Sequence, residues 1–281
     1  MPLKLMYITN NPQVAKIAEE SGVDRIFVDM EYIGKGQRQG GMDTVQCHHT
    51  TGDVKNIRSV VKKAQVLVRC NPIHEATEEY CSSKEEIDSI IASGADIIML
   101  PFFKTASEVK SFIELVDKRA RTMLLFETPE SRDNADEILE IDGIDEVFVG
   151  LNDMSLGYGM KFMFQLLANG TVEELCNKFK AKGLPYGFGG LASLDGGLLP
   201  GAKVVKEHYR LGSGCVILSR SFCNTSIITD LAEIEKIFQT GLKGIRDFER
   251  ECQSLTEGEL EENRKEVVAA VDAILERIAN R

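Results

Sequence analysis

The sequence predicts an α/β fold, a (β/α)8 TIM barrel with extra C-terminal helices, and three observations lead there. One local pattern recurs: a helical stretch closes at a glycine, a small or acidic residue follows, and a short β-branched apolar run comes next. Ser21-Gly22-Val23-Asp24 precedes Arg25-Ile26-Phe27-Val28-Asp29, and Ser93-Gly94-Ala95-Asp96 precedes Ile97-Ile98-Met99-Leu100. Asp142-Gly143-Ile144-Asp145 precedes Glu146-Val147-Phe148-Val149, and Leu211-Gly212-Ser213-Gly214 precedes Cys215-Val216-Ile217-Leu218. The glycine supplies a left-handed helix cap, and the run after it reads as a strand covered on both faces. Secondly, amphipathic segments of helical period separate these runs. Thirdly, eight such units fit in roughly 230 residues, the size of a parallel barrel.

In chain order the strands are expected at 3–9, 25–29, 65–70, 97–100, 122–127, 146–150, 185–189 and 215–219, with helices at 83–93, 105–118, 171–181 and 202–209 among the connections. A doubly wound sheet more often carries a Gly-rich turn after its first strand, and Thr9-Asn10-Asn11-Pro12 is not one. Residues 1–225 are expected to form the barrel and 226–281 a helical extension, with long helices near 229–252 and 256–279. In the last helix Val267, Val271, Ile274 and Ile278 make a narrow apolar seam. Two placements fit that seam: against its own barrel, or on a neighbouring subunit with the extension exchanged.

Composition narrows the function. Lys and Arg total 33 against 44 Asp and Glu, a net charge of −11, which argues against nucleic acid or an anionic membrane surface as partner. No apolar run approaches the roughly 20 residues of a membrane span. The opening Met1-Pro2-Leu3-Lys4-Leu5 lacks the basic and apolar regions of a signal peptide. Seven cysteines, at 47, 70, 81, 176, 215, 223 and 252, show no metal or disulfide rhythm. A reducing cytoplasm with free thiols is the expected setting.

In a barrel of this kind the chemistry sits at the carboxyl ends of the strands. Strand two ends in Asp29-Met30-Glu31, strand three in Arg69, strand five in Glu127, and strand six runs into Gly150-Leu151-Asn152-Asp153. Each carboxylate alone reads equally as a helix N-cap. A ring of Asp29, Glu31, Glu127 and Asp153 around one arginine is a different matter, because crowded carboxylates need protons or a hard cation to offset them. Oxygen donors without thiolate or paired histidine select Mg²⁺ or Mn²⁺.

Five runs in order carry a family resemblance: Phe27-Val28-Asp29-Met30-Glu31, Val68-Arg69-Cys70-Asn71-Pro72, Gly94-Ala95-Asp96 through Leu100-Pro101, Glu127-Thr128, and Phe148-Val149-Gly150-Leu151-Asn152-Asp153-Met154-Ser155-Leu156-Gly157. Together they resemble the HpcH/HpaI aldolase and citrate-lyase β-subunit superfamily. That resemblance implies a divalent-metal-dependent carbon–carbon lyase or aldolase working through the enolate of a pyruvate-type 2-oxo acid. Glu127 and Asp153 match the metal carboxylates, and Arg69 matches the arginine at the enolate oxygen. Backbone N–H groups of Gly150, Leu151 and Asn152 are candidates for the substrate carboxylate. The resemblance and the C-terminal seam together imply a homo-oligomer, a trimer or hexamer.

Two positions depart from that pattern. The family's histidine after Asp-x-Glu is Tyr32, so His48 or His49, in the long loop that follows, is a candidate replacement. Cys47-His48-His49 itself has poor metal-ligand spacing. Leu125 stands where aldolase members often carry a polar residue. Glycines 187, 189, 190, 196 and 197, with Arg220 after strand eight, read either as tight turns or as a site for an anionic, phosphorylated or sugar-acid aldehyde. The alternatives to an aldolase are an acyl-CoA lyase of the citrate, malyl or citramalyl type and a non-catalytic barrel of the same family.

Overall fold

Eight parallel strands close on themselves in chain order, as the sequence predicts. They are β1 Lys4–Ile8, β2 Arg25–Asp29, β3 Gln65–Arg69, β4 Ile97–Leu100, β5 Arg121–Phe126, β6 Glu146–Val149, β7 Tyr186–Leu191 and β8 Cys215–Leu218. The computed structural model describes residues 2–34 and 49–280. Register sets Asp29 beside Arg69 across β2 and β3, and Leu5 beside Val216 where β1 meets β8.

The period of two along a strand sorts the side chains into layers. Ile26, Val28, Val66, Val68, Val147 and Val149 join the outer core beneath the helices. Met6, Phe27, Leu67, Met123, Leu125 and Phe148 fill the barrel. The same alternation, carried one step each way, makes polar layers at both ends. Arg25, Gln65, Arg121 and Glu146 lie below the apolar filling; Asp29, Arg69, Glu127 and Gly150 lie above it. At the lower end the fully buried Arg25 donates from both Nη atoms to Glu146 at 2.7 Å, and from Nε to Gln65 Oε1 at 3.1 Å. Arg121 adds a contact to Glu146 Oε1 at 2.6 Å. The sequence reading did not anticipate this ionic floor.

The helices are α1 Pro12–Ser21, α2 Thr51–Val60, α3 Ser83–Ala92, α4 Ala106–Val116, α5 Pro129–Asp133, α6 Ala135–Ile138, α7 Leu151–Gly157, α8 Gln165–Ala168, α9 Thr171–Ala181, α10 Gly201–Leu211, α11 Leu231–Cys252 and α12 Glu257–Ala279. Capping boxes begin α2, α3, α4 and α12, where Thr50, Ser82, Thr105 and Thr256 pair with an acidic residue three positions on. In the C-terminal extension α11 packs on α1 and α12 on α10 and α8, burying Val267, Val271 and Ile274 within the chain. Glu249 of α11 accepts the Leu3 N–H at 2.6 Å, tying the extension to the start of β1. Among the described residues no helix is long and apolar enough to cross a membrane, and the six described cysteines are unpaired.

One buried histidine gives the fold an acid-sensitive point. His208 of α10 lies flat on Phe188 at 3.8 Å, with Nδ1 2.8 Å from Ser213 Oγ. Burial pushes its pKa down from 6.5 to about 3. Between those values the unfolded chain binds a proton that the native chain refuses, so stability falls as pH drops through that window. Urea melts at pH 6 and pH 4 are expected to show wild type losing about 1.4 kcal/mol per pH unit more than His208→Phe. Equal losses in the two proteins would refute this.

Candidate active site

Above the apolar filling, the carboxyl ends of the strands open on a cavity of about 700 Å³. Asp29, Arg69, Glu127, Gly150, Leu151, Asn152, Asp153, His49 and Arg220 all line it. Their convergence follows from the alternation: each strand-end residue is two positions beyond an inward-facing apolar one. Glu31, two residues past β2, is buried beside Arg69. His48, together with Cys47, lies outside the described residues.

Arg69 is clamped by two carboxylates. Its Nε and Nη2 donate to the two oxygens of Asp29, each at 2.8 Å, a bidentate fork. Nη1 stands 3.3 Å from Glu31 Oε2. Burial works against the charge, but Asp29 and Glu31 outweigh it, so the guanidinium is held well above its ordinary pKa. The ring of Phe27 lies beneath at 5.7 Å, a cation–π contact that continues the apolar filling into the polar layer. A permanently charged donor therefore stands in the cavity with its plane set by two carboxylates.

The two other carboxylates reach the cavity from β5 and α7. Glu127 follows β5 and is buried, and its Oε1 accepts the Phe102 N–H at 3.0 Å. Asp153 sits in the first turn of α7, also buried. Gly150 caps α7 with no side-chain bond, and its own N–H is engaged by Phe126 O at 2.9 Å. Of the three predicted amide donors, those of Leu151 and Asn152 are thus the ones at the open helix start. Leu125 lies in the same cavity and keeps its floor apolar beside Glu127.

The chain after β2 is turned by Asn71. Its Oδ1 accepts the N–H groups of Tyr32 and Ile33, both at 2.9 Å, while Nδ2 donates to Glu86 Oε1 at 2.7 Å. Burial raises the pKa of the Glu86 carboxyl. This turn leaves Tyr32 44% exposed and edge-on to Tyr80, away from the cavity lining. His49 does line it, and its Nδ1 accepts the Asp29 N–H at 3.0 Å. A backbone N–H can only donate, so the neutral ring carries its proton on Nε2.

The opposite wall was legible at Arg220 and at the glycines of β7. Thr9 and Asn10 after β1, and Ser219, Asn224 and Thr225 after β8, supply hydroxyl and amide groups there. Their signal was positional only, since strands one and eight end at or just before them and none of them is charged. Among the glycines of β7 two have steric reasons. A Cβ on Gly187 would lie 2.3 Å from Cys215 O, and Gly189 has φ +61°. Gly190 borders the cavity.

A closed parallel barrel with a polar cavity at its carboxyl-terminal strand ends is the form of a barrel enzyme. The model of the HpcH/HpaI aldolase/citrate lyase family matches residues 4–164, more than half of the chain, and the chain belongs to that family. No curated protein matches it in sequence. Similar solved structures include the HpcH/HpaI aldolase from Desulfitobacterium hafniense DCB-2, at 17% identity over 87% of this chain and 93% of that one, TM-score 0.58. A HpcH/HpaI aldolase/citrate lyase family protein from Burkholderia cenocepacia J2315 is 14% identical over 83% and 94%, TM-score 0.61. Citrate synthase SbnG is 13% identical over 84% and 94%, TM-score 0.60. At such identities the likeness is one of fold.

Proposed function

We propose that this protein is a divalent-metal-dependent carbon–carbon lyase or aldolase acting through the enolate of a pyruvate-type 2-oxo acid. The observation that carries the reading is the gathering, in one cavity, of two buried carboxylates and a clamped guanidinium. The donor set fits a metal: Glu127 and Asp153 offer oxygen only, as Mg²⁺ or Mn²⁺ prefers. Among the described residues no group of three His, Cys, Asp or Glu side chains has metal-ligand spacing. Water and substrate oxygens would therefore complete the shell, the usual arrangement for Mg²⁺. When bound, such an ion polarises the keto oxygen and makes the neighbouring carbon more acidic.

The chain's own groups divide the remaining work. Arg69 stabilises the oxygen on which enolate charge develops, with Asp29 and Glu31 holding its plane. The Leu151 and Asn152 amides take the substrate carboxylate. His49, carrying its proton on Nε2, supplies a second donor at the reacting oxygen in place of the family histidine, and the proton lost from the methyl carbon passes to solvent water in the open cavity. Arg220 and the hydroxyl-rich wall receive the aldehyde.

Deuterium exchange into the methyl group of pyruvate, followed by NMR, tests the enolate step without the unknown co-substrate. Exchange is expected with Mg²⁺ or Mn²⁺ and not with EDTA. His49→Phe is expected to slow it on the order of 10²-fold, and Tyr32→Phe to leave it within about twofold. No exchange with any metal would overturn the aldolase reading, and citramalyl-CoA and malyl-CoA would then be the compounds to assay.

A further inference from the structure

The Glu127 carboxylate is gripped from two sides, by the Phe102 backbone and by Gly150. Phe102, just after β4, is a non-glycine residue at φ +51°, in the left-handed region that side chains with a Cβ rarely adopt. That conformation aims its N–H at Glu127 Oε1, 3.0 Å away. The next residue is bolted to β5. Phe103 O accepts the Thr128 hydroxyl at 2.9 Å, and the buried Phe103 ring meets Phe126 edge-on at 5.1 Å. The turn therefore cannot relax Phe102 without releasing those contacts.

On the other side lies Gly150. Its φ of −81° and ψ of 93° are open to any residue, so glycine is not required for the backbone. It is required for space: a Cβ there would sit 2.8 Å from Glu127 Cβ and 2.9 Å from Oε2. One carboxylate oxygen is tethered by an amide and the other rests against a bare Cα.

We propose that Phe102 is a positioning residue whose left-handed backbone holds Glu127 in its metal-binding orientation before the metal arrives. The inference rests on the reading of Glu127 as a metal carboxylate. It works as outer partners of metal ligands do, by setting the ligand's orientation through a charge-assisted hydrogen bond. The half-buried ring is not the active part. It carries Lys104 at 5.7 Å on the rim, a contact that the backbone role does not need.

Mn²⁺ titration by electron paramagnetic resonance, on wild type, Phe102→Gly, Phe102→Asn, Phe102→Val and Glu127→Gln, separates backbone from ring. Valine is β-branched and tolerates the left-handed region worst, whereas glycine and asparagine accept it. Phe102→Val is expected to weaken Mn²⁺ binding on the order of 10- to 100-fold. Phe102→Gly and Phe102→Asn are expected to stay within about threefold of wild type despite losing the ring. Equal affinity in all three variants, whether retained or lost, overturns the proposal. A wild type that binds no Mn²⁺ would instead sink the metal reading. Crystal structures of Phe102→Val and Phe102→Gly then decide the positioning alone. A Glu127 carboxylate unmoved in Phe102→Val overturns it, and one displaced there but retained in Phe102→Gly supports it.

Discussion

Replacing Arg69 with alanine is expected to reduce metal-dependent exchange into pyruvate by 10²- to 10³-fold, on the order of what the loss of one oxyanion donor costs. The structure makes this residue more than a charge. Its fork is locked to both oxygens of Asp29 at 2.8 Å, which fixes the plane of the guanidinium. Arg69→Lys keeps the charge but not the fork, and should recover only part of the rate. Stability is expected to fall as well, by about 3–5 kcal/mol in Arg69→Ala, because Asp29 and Glu31 are left buried without their cation. Exchange kinetics and urea melts on the same preparations read both effects. Full exchange by Arg69→Ala would refute the enolate role, whatever its stability.

The largest stability effect away from the cavity is expected at the floor of the barrel. Arg25→Met leaves Glu146 buried with Arg121 as its remaining cation, and that arginine is 41% exposed in its side chain. Stripping one partner from a buried pair costs about 3–5 kcal/mol, mostly from the charge left behind. The double variant Arg25→Met with Glu146→Leu removes that charge and should recover most of the loss, since apolar replacement of a buried pair is often neutral. Differential scanning calorimetry of the two variants checks this. A double variant as unstable as Arg25→Met would mean that the floor depends on its shape and not on the unpaired charge.

The site was partly legible because it obeys the barrel's own rule. Asp29, Arg69 and Glu127 stand at strand ends, and the β-branched runs before them announce those ends. His49 was legible only as a residue type in a long loop. What brings it to the cavity is an Asp29 N–H that its Nδ1 accepts across 20 residues. Tyr32 immediately follows Glu31 in sequence, yet Asn71 turns it outward from a different strand end. Phe102 carried no signal at all, since nothing in its side chain forecasts a left-handed backbone.

By itself, the sequence determined the eight strands, several of the helices between them, the strand-end carboxylates and the apolar seam of α12. Those follow from period, capping and turn chemistry, which act over a few neighbouring residues. Tertiary structure alone decided which side chains meet: Arg25 with Glu146 across 121 residues, Arg69 with Asp29 across 40, Phe102 with Glu127 across 25. Barrel closure and stagger set those distances, and they are properties of all eight strands together. No local run of residues encodes them.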